Sequence, residues 1–173
     1  MDSMVNKYTA NKRLRSEDAY SPDGRHDCRP DYPSIVYTQI LKKLFPDVPV
    51  VIGGIEASLR RLTHFDYWQN KLRKSILCDS GADMLLYGVG AKSILALAEA
   101  IEQGRNIKKI TEIPQTVYLS SKDNIQGGIT DKDIILHSYE ECLQNKKAHA
   151  ENFKYIEEES NKMHAQRLLQ EVD

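Results

Sequence analysis

Two short apolar runs, each closed by glycine, constrain this chain more than any other feature. Val48-Pro49-Val50-Val51-Ile52 runs into Gly53-Gly54, and Asp83-Met84-Leu85-Leu86-Tyr87 runs into Gly88 and Gly90. Neither alternates apolar with polar residues, so neither suits a strand with one wet face. Short, unalternating runs of this kind are how strands covered on both faces of a parallel sheet read. Helical periodicity surrounds them. Ser34 has the chemistry of an N-cap, and Ile35, Val36, Ile40, Leu41, Leu44 and Phe45 form an apolar stripe that Pro46 stops. Residues 55–62 and 67–77 are shorter helical candidates. A helix over 91–102 carries Ile94, Leu95, Leu97, Ala98 and Ile101 on its apolar side, with Gly104 as its C-cap. Residues 116–119 read as a third, weaker strand, and a long helix over 131–159 has the stripe Ile135, Tyr139, Cys142, His149, Phe153 and Ile156, interrupted by Lys146.

Strands alternating with helices predict an α/β fold, with parallel strands joined by right-handed crossovers. The expected organisation is an irregular polar segment over 1–33, a partial Rossmann-like domain over 34–130 and a helical C-terminal extension over 131–173. About three parallel strands are few, since doubly wound sheets ordinarily carry five or six. The first periodic element is also a helix with no strand ahead of it. Both features lead us to expect a truncated sheet whose open side leaves apolar surface uncovered.

Composition removes several function classes. The formal net charge is -1 over 173 residues, so no global field favours nucleic acid or a membrane surface. No run of 18 apolar residues exists, and residues 1–15 lack the pattern of a secretory signal. A soluble, cytoplasmic protein is expected. Cys28, Cys78 and Cys142 are dispersed and odd in number, which suits a reducing compartment rather than a disulfide framework. No C-x-x-C pair exists to predict a zinc site.

Ligands of open parallel sheets bind outside the carboxyl ends of the strands. That places Gly53, Gly54, Gly88 and Gly90 where a backbone can approach an anion closely. Glu56, Arg60, His64, Asp66 and Trp68 follow the first glycine pair and are the candidates for a ligand- or substrate-facing surface. A solvated helix face is the ordinary explanation for such a charged run. Arg60, Arg61, Lys71, Arg73 and Lys74 would favour a phosphate-bearing ligand or offset the neighbouring acids. His137, His149 and His164 have no partner at metal-ligand spacing. No catalytic residue and no metal site is expected in the chain.

Several stretches resemble the YgiQ-type radical S-adenosylmethionine proteins. They are Asp2-Ser3-Met4-Val5-Asn6-Lys7-Tyr8-Thr9, Asp18-Ala19-Tyr20-Ser21-Pro22-Asp23-Gly24 and Arg29-Pro30-Asp31. The longest is V-P-V-V-I-G-G-I-E-A-S-L-R-R over 48–61, continued by His64-Phe65-Asp66-Tyr67-Trp68, and Asp83-Met84-Leu85-Leu86-Tyr87-Gly88 matches too. The resemblance implies an N-terminal domain similar to cobalamin-binding Rossmann-like domains. It further implies a radical SAM barrel elsewhere in the full-length protein, whose C-x-x-x-C-x-x-C thiolates hold a four-iron (4Fe-4S) cluster that binds S-adenosylmethionine. This chain departs from that pattern. Its cysteines stand tens of residues apart, it has no D-x-H-x-x-G cobalt-ligating loop, and Ala91 stands where an acidic residue is common.

The resemblance therefore implies an accessory segment of a radical SAM iron–sulfur enzyme that itself binds no cofactor. Its partner would be the barrel, with no nucleic acid and no membrane, and self-association would run through an exposed sheet edge. The alternative is a stand-alone Rossmann-like module that binds a small anionic ligand at the strand-end glycines.

Overall fold

Residues 6–172 are described by the structure, a computed structural model. The stretch Asp2-Ser3-Met4-Val5 of the opening motif lies outside them. The chain divides into two units: Met1–Arg61 with Ile76–Leu119, and Leu62–Ser75 with Ser120–Asp173. The fold class is the α/β arrangement that the alternation predicts, a small, mostly parallel sheet flanked by helices.

The first unit is built on β1 (Val51–Ile52), β4 (Met84–Leu86) and β5 (Thr116–Val117), in the order β1-β4-β5. β1 and β4 are parallel, with Val51 beside Met84 and Ile52 beside Leu85. All three residues of β4 are buried, Leu85 to 0% exposure. Met84 and Leu86 face a cluster with Leu97, Ala100, Ile107, Ile110 and Ile113. Leu85 faces the opposite one, with Ile52, Ala57, Ile76, Leu77 and Ala82. The unalternating sequence thus has its reason: every side chain of β4 has an apolar place to go.

β5 corrects the all-parallel expectation, because it pairs antiparallel to β4. After α4 (Ala91–Glu102) returns the chain, residues 103–115 cross the sheet once more and bury Ile107, Ile110 and Ile113 on the way. The chain arrives at the carboxyl end of β4, where the Tyr87 amide donates to the Gln115 carbonyl at 3.0 Å. From there β5 can only run back.

α1 (Pro33–Leu44) begins two residues earlier than an N-cap at Ser34 would place it. Pro33 occupies its first turn, where a missing N–H costs nothing, and Tyr32 rather than Ser34 stands at the N-cap. Ser34 donates instead to Glu56 at 3.0 Å. The stripes are also rotated. Of the stripe expected on α1 only Ile35 and Val36 are half-buried, while Ile40, Leu41, Leu44 and Phe45 are exposed and Thr38 is buried instead. On α4 the buried row is Ser93, Leu97 and Ala100, leaving Ile94, Leu95 and Ile101 exposed. α2 (Gly54–Leu59) and α3 (Ile76–Ser80) complete this unit.

The polar segment before α1 is irregular but held by charge. Asp18, 3% exposed, accepts from Arg29 at 2.7 and 2.8 Å and from the Tyr20 amide at 2.9 Å. These bonds, the Arg29 ones foremost, hold its carboxyl below the usual range. Lys7 reaches Asp27 and Asp31, both at 2.8 Å. Burial alone would lower its pKa, but those two carboxylates outweigh burial and raise it.

In the second unit β2 (His64–Asp66) and β3 (Lys71–Arg73) form an antiparallel hairpin. This overturns the helix expected over 67–77. Asp66 accepts from the Trp68 and Gln69 amides at 2.8 and 3.1 Å, and Asn70 adopts a left-handed φ of 53°. Both features make a turn at the expense of helix. The long helix over 131–159 is likewise corrected. Ile134–Ile135 forms β6, parallel to β7 (Leu168–Leu169), and Arg167 clamps Asp133 at 2.8 and 2.7 Å. The helical remainder is two pieces, α5 (Tyr139–Gln144) and α6 (Lys146–Ser160). Ser138 and Glu141 form a reciprocal capping box on α5. Asn145 ends α5 and caps α6 by accepting from the Lys147 amide at 2.9 Å.

Candidate functional site

At the carboxyl ends of β1 and β4, two glycine corners lie side by side. Gly53 is extended, and its lack of a side chain serves clearance: an added Cβ would meet the Leu86 carbonyl oxygen at 3.2 Å. Gly54 has open space around it but a φ of 80°, which side-chain-bearing residues avoid. On the neighbouring corner the Gly88 amide donates to the Ser58 hydroxyl at 3.2 Å, tying the β4 turn to α2. Gly90 begins α4 without a side-chain cap. Ile55, Leu59 and Val89 project from these corners and are exposed, Val89 to 93%. The strand-end surface is therefore backbone and apolar tips.

Glu56 and Arg60 are placed beneath that surface. They are 6% and 8% exposed and pair with each other at 2.8 Å, one turn apart on α2. Ser34 donates to the other Glu56 oxygen, the Arg60 guanidinium lies 5.4 Å from the centre of the Tyr32 ring, and the Arg60 carbonyl accepts from the Ile76 amide at 2.8 Å. A buried pair held on so many sides locks α1, α2 and α3 to one another. Removing one partner would strand the other charge, at a cost of about 3–5 kcal/mol. Arg61 lies over Tyr87, 4.9 Å from the ring centre, and donates to the Ser58 carbonyl at 2.7 Å.

His64, Asp66 and Trp68 belong to the second unit, on the β2–β3 hairpin. Asp66 is buried and organises the turn, while the Tyr67 and Trp68 rings meet edge-to-face at 5.9 Å. His64 Nδ1 lies 3.1 Å from the Leu62 carbonyl. Of the other basic residues, Arg73 donates to Gln69 at 2.8 Å and Lys74 sits 5.4 Å from the centre of the Tyr139 ring. The expected basic set is thus divided between the two units and largely engaged in local structure.

The same unit contains a polar node that spacing alone does not reveal. Asn152 exchanges two hydrogen bonds with the His137 backbone, at 2.8 and 2.9 Å, and donates to Cys142 Sγ at 3.3 Å. Gln170 donates to the His137 carbonyl at 3.0 Å and accepts from the Thr63 amide at 2.9 Å. His137 also meets Glu151 at 2.9 Å. Gln170 lies 33 positions from His137 and 107 from Thr63, and amides at ordinary spacing carry no signal of burial. His149 keeps a buried Nδ1 with no hydrogen-bond partner among the described residues, and burial lowers its pKa.

The cysteines do not fit an iron–sulfur cluster. Cys28 is exposed, Cys78 is partly buried and Cys142 is buried. Burial pushes the Cys142 thiol up, away from the thiolate a cluster needs. Among the described residues no group of three or more His, Cys, Asp or Glu could hold a metal. None of the helices among them is long and apolar enough to cross a membrane.

Comparison with known proteins points the same way as the motifs. The family model described as Radical SAM N-terminal matches residues 1–173. A UPF0313 protein of Bacteroides thetaiotaomicron is 60% identical over 184 residues, covering 100% of this chain and 29% of its own length. UPF0313 proteins of Porphyromonas gingivalis and Clostridium perfringens are 56% and 46% identical, each covering 99% of this chain and 27% and 25% of their own lengths. The chain thus spans little more than a quarter of the curated relatives it matches. No solved structure matches it. By a family model that covers every residue, and by relatives of this identity, the chain belongs to the Radical SAM N-terminal family.

Proposed function

We propose that this chain is a non-catalytic, accessory portion of a radical S-adenosylmethionine iron–sulfur enzyme, docking on the catalytic barrel and shaping substrate access. The observation that carries this is the state of the three cysteines in a chain of this family: one exposed, one half-buried and one buried on Asn152. The four-iron cluster and S-adenosylmethionine would be held by residues of the full-length protein outside this chain. The face turned to the barrel or substrate is the strand-end surface of Gly53, Gly54, Gly88 and Gly90 with Ile55, Leu59 and Val89. Glu56 and Arg60 act on it by position, as the buried pair beneath. The hairpin of His64, Asp66 and Trp68 offers a second contact surface from its own unit.

The test uses full-length protein with Cys28→Ser, Cys78→Ser and Cys142→Ala combined. Iron content and reductive cleavage of S-adenosylmethionine should be unchanged, and loss of iron would overturn the assignment. Val89→Glu should alter the cleavage rate at unchanged iron content and melting temperature. An unaltered rate would remove the strand-end surface from the proposal.

A further inference from the structure

Gln115 stands in a backbone conformation that glutamine seldom takes. Its φ is 59°, in the left-handed region where a Cβ crowds the following carbonyl oxygen. It follows Pro114 in the turn that feeds β5. A turn with proline ahead of a residue of positive φ ordinarily takes glycine or asparagine at that second place. The fold imposes the conformation from three sides. The buried Ser93 donates to the Pro114 carbonyl at 2.7 Å, the Thr116 hydroxyl donates to the Ile113 carbonyl at 2.7 Å, and the Tyr87 amide donates to the Gln115 carbonyl at 3.0 Å. None of these bonds uses the glutamine side chain, so the turn itself gives no reason for glutamine.

The side chain has a place, and Gly88 makes room for it. A Cβ added at Gly88 would stand 3.1 Å from Gln115 Nε2, so the amide lies against bare backbone at the carboxyl end of β4. Gln115 is exposed there, and its side chain makes no hydrogen bond with any described residue. The tips that project from the same corners, Ile55, Leu59 and Val89, are aliphatic. A carboxamide is thus held, at the expense of backbone strain, beside an apolar surface. Strain that the surroundings impose in this way gathers at positions that contact ligands.

We infer that Gln115 is a specificity-determining residue of the strand-end surface and reads an amide carried on an apolar part of the substrate. The inference rests on the role proposed for that surface. A carboxamide presents donor and acceptor side by side, and a second amide returns both bonds. A carboxylate or phosphate presents acceptors only and leaves the Gln115 oxygen unmatched. A nucleobase edge carries the same pair of groups, but unpaired bases are held by stacking on aromatic rings, and the tips here are aliphatic.

Saturation-transfer difference NMR on full-length protein tests this with butyramide, 2-pentanone and uracil as probes. The first two have the same shape, and only butyramide carries an N–H donor. Unmodified protein should bind butyramide roughly three- to tenfold more tightly than 2-pentanone, the worth of one hydrogen bond between neutral groups. Gln115→Leu should abolish that preference. Gln115→Asn, which suits the turn but withdraws the amide by one methylene, should abolish it too while melting no lower than unmodified protein. A purely structural residue would instead lose preference and stability together. Absent butyramide binding, equal binding of the two probes, a preference that survives Gln115→Leu, or tighter binding of uracil than of butyramide would each overturn the inference. Val89→Glu should weaken butyramide and 2-pentanone alike, because it alters the surface they share. If it does so while Gln115→Leu leaves the preference intact, the inference fails and the strand-end surface stands. If neither variant alters either probe, the surface itself is wrongly placed. Should a variant fail to fold, the comparison of probes on unmodified protein still decides.

Discussion

At the scale of single residues, the two adjacent glycines do different work. Gly53 is required because a backbone oxygen occupies the space a Cβ would take, and Gly54 because of its left-handed φ. Alanine at either position should destabilise by about 1 kcal/mol. Asparagine separates the causes: it visits left-handed backbone readily, so Gly54→Asn should recover part of the loss while Gly53→Asn should be worse than Gly53→Ala. Urea denaturation of the four variants would show this ordering or its absence. The glycine pair is plain in the sequence, but the division of labour is not. It arises from the distance to Leu86, a residue more than thirty positions away. The same holds for Glu56 and Arg60. Their spacing on one helix face is legible, whereas their burial under α1 and α3 depends on where those helices pack.

At the scale of elements, strands and helices that bury apolar side chains are visible in sequence, and those that polar side chains set are not. β4 and α4 belong to the first kind. The break at Asn145 belongs to the second: the apolar period resumes beyond an interruption at Lys146, and the Asn145 side chain caps the next helix. Asn145→Ala should cost about 1 kcal/mol in a denaturation midpoint. Helix content in circular dichroism should stay nearly constant, because the residues on either side keep their packing. An unchanged midpoint would mean the break is held by packing alone. The hairpin over 64–73 misleads in the same manner, since Asp66 and Asn70 turn a stretch whose residues are otherwise compatible with helix.

At the scale of the whole molecule, carboxylates on strong partners make stability depend on acid. Asp133, held down chiefly by Arg167, and Asp18, held down chiefly by Arg29, both ionise below the usual aspartate range. Asp83 joins them: burial opposes ionisation there, but the hydrogen bonds from Lys42 and the Val50 amide outweigh it. A depressed carboxylate contributes stability that is fully present above its unfolded pKa and is lost as pH falls through the folded one. The melting temperature should therefore begin to fall below about pH 6.5, where the unfolded state protonates a histidine that burial keeps neutral at His149, and fall more steeply once the pH drops below about 4. Asp18→Asn should shrink that fall, and an unchanged acid limb would show that the clamp contributes nothing. The sequence by itself determined the α/β class, the doubly buried strand and the glycine corners, because burial period and glycine are local signals. Only the tertiary structure decided the antiparallel return of β5, the hairpin, the exposure of most of the apolar stripes on α1 and α4 and the burial of the Glu56–Arg60 pair. The hairpin is set by the local turn at Asp66 and Asn70, and the others depend on contacts between residues far apart in the chain, where the energy of packing and pairing outweighs local preference.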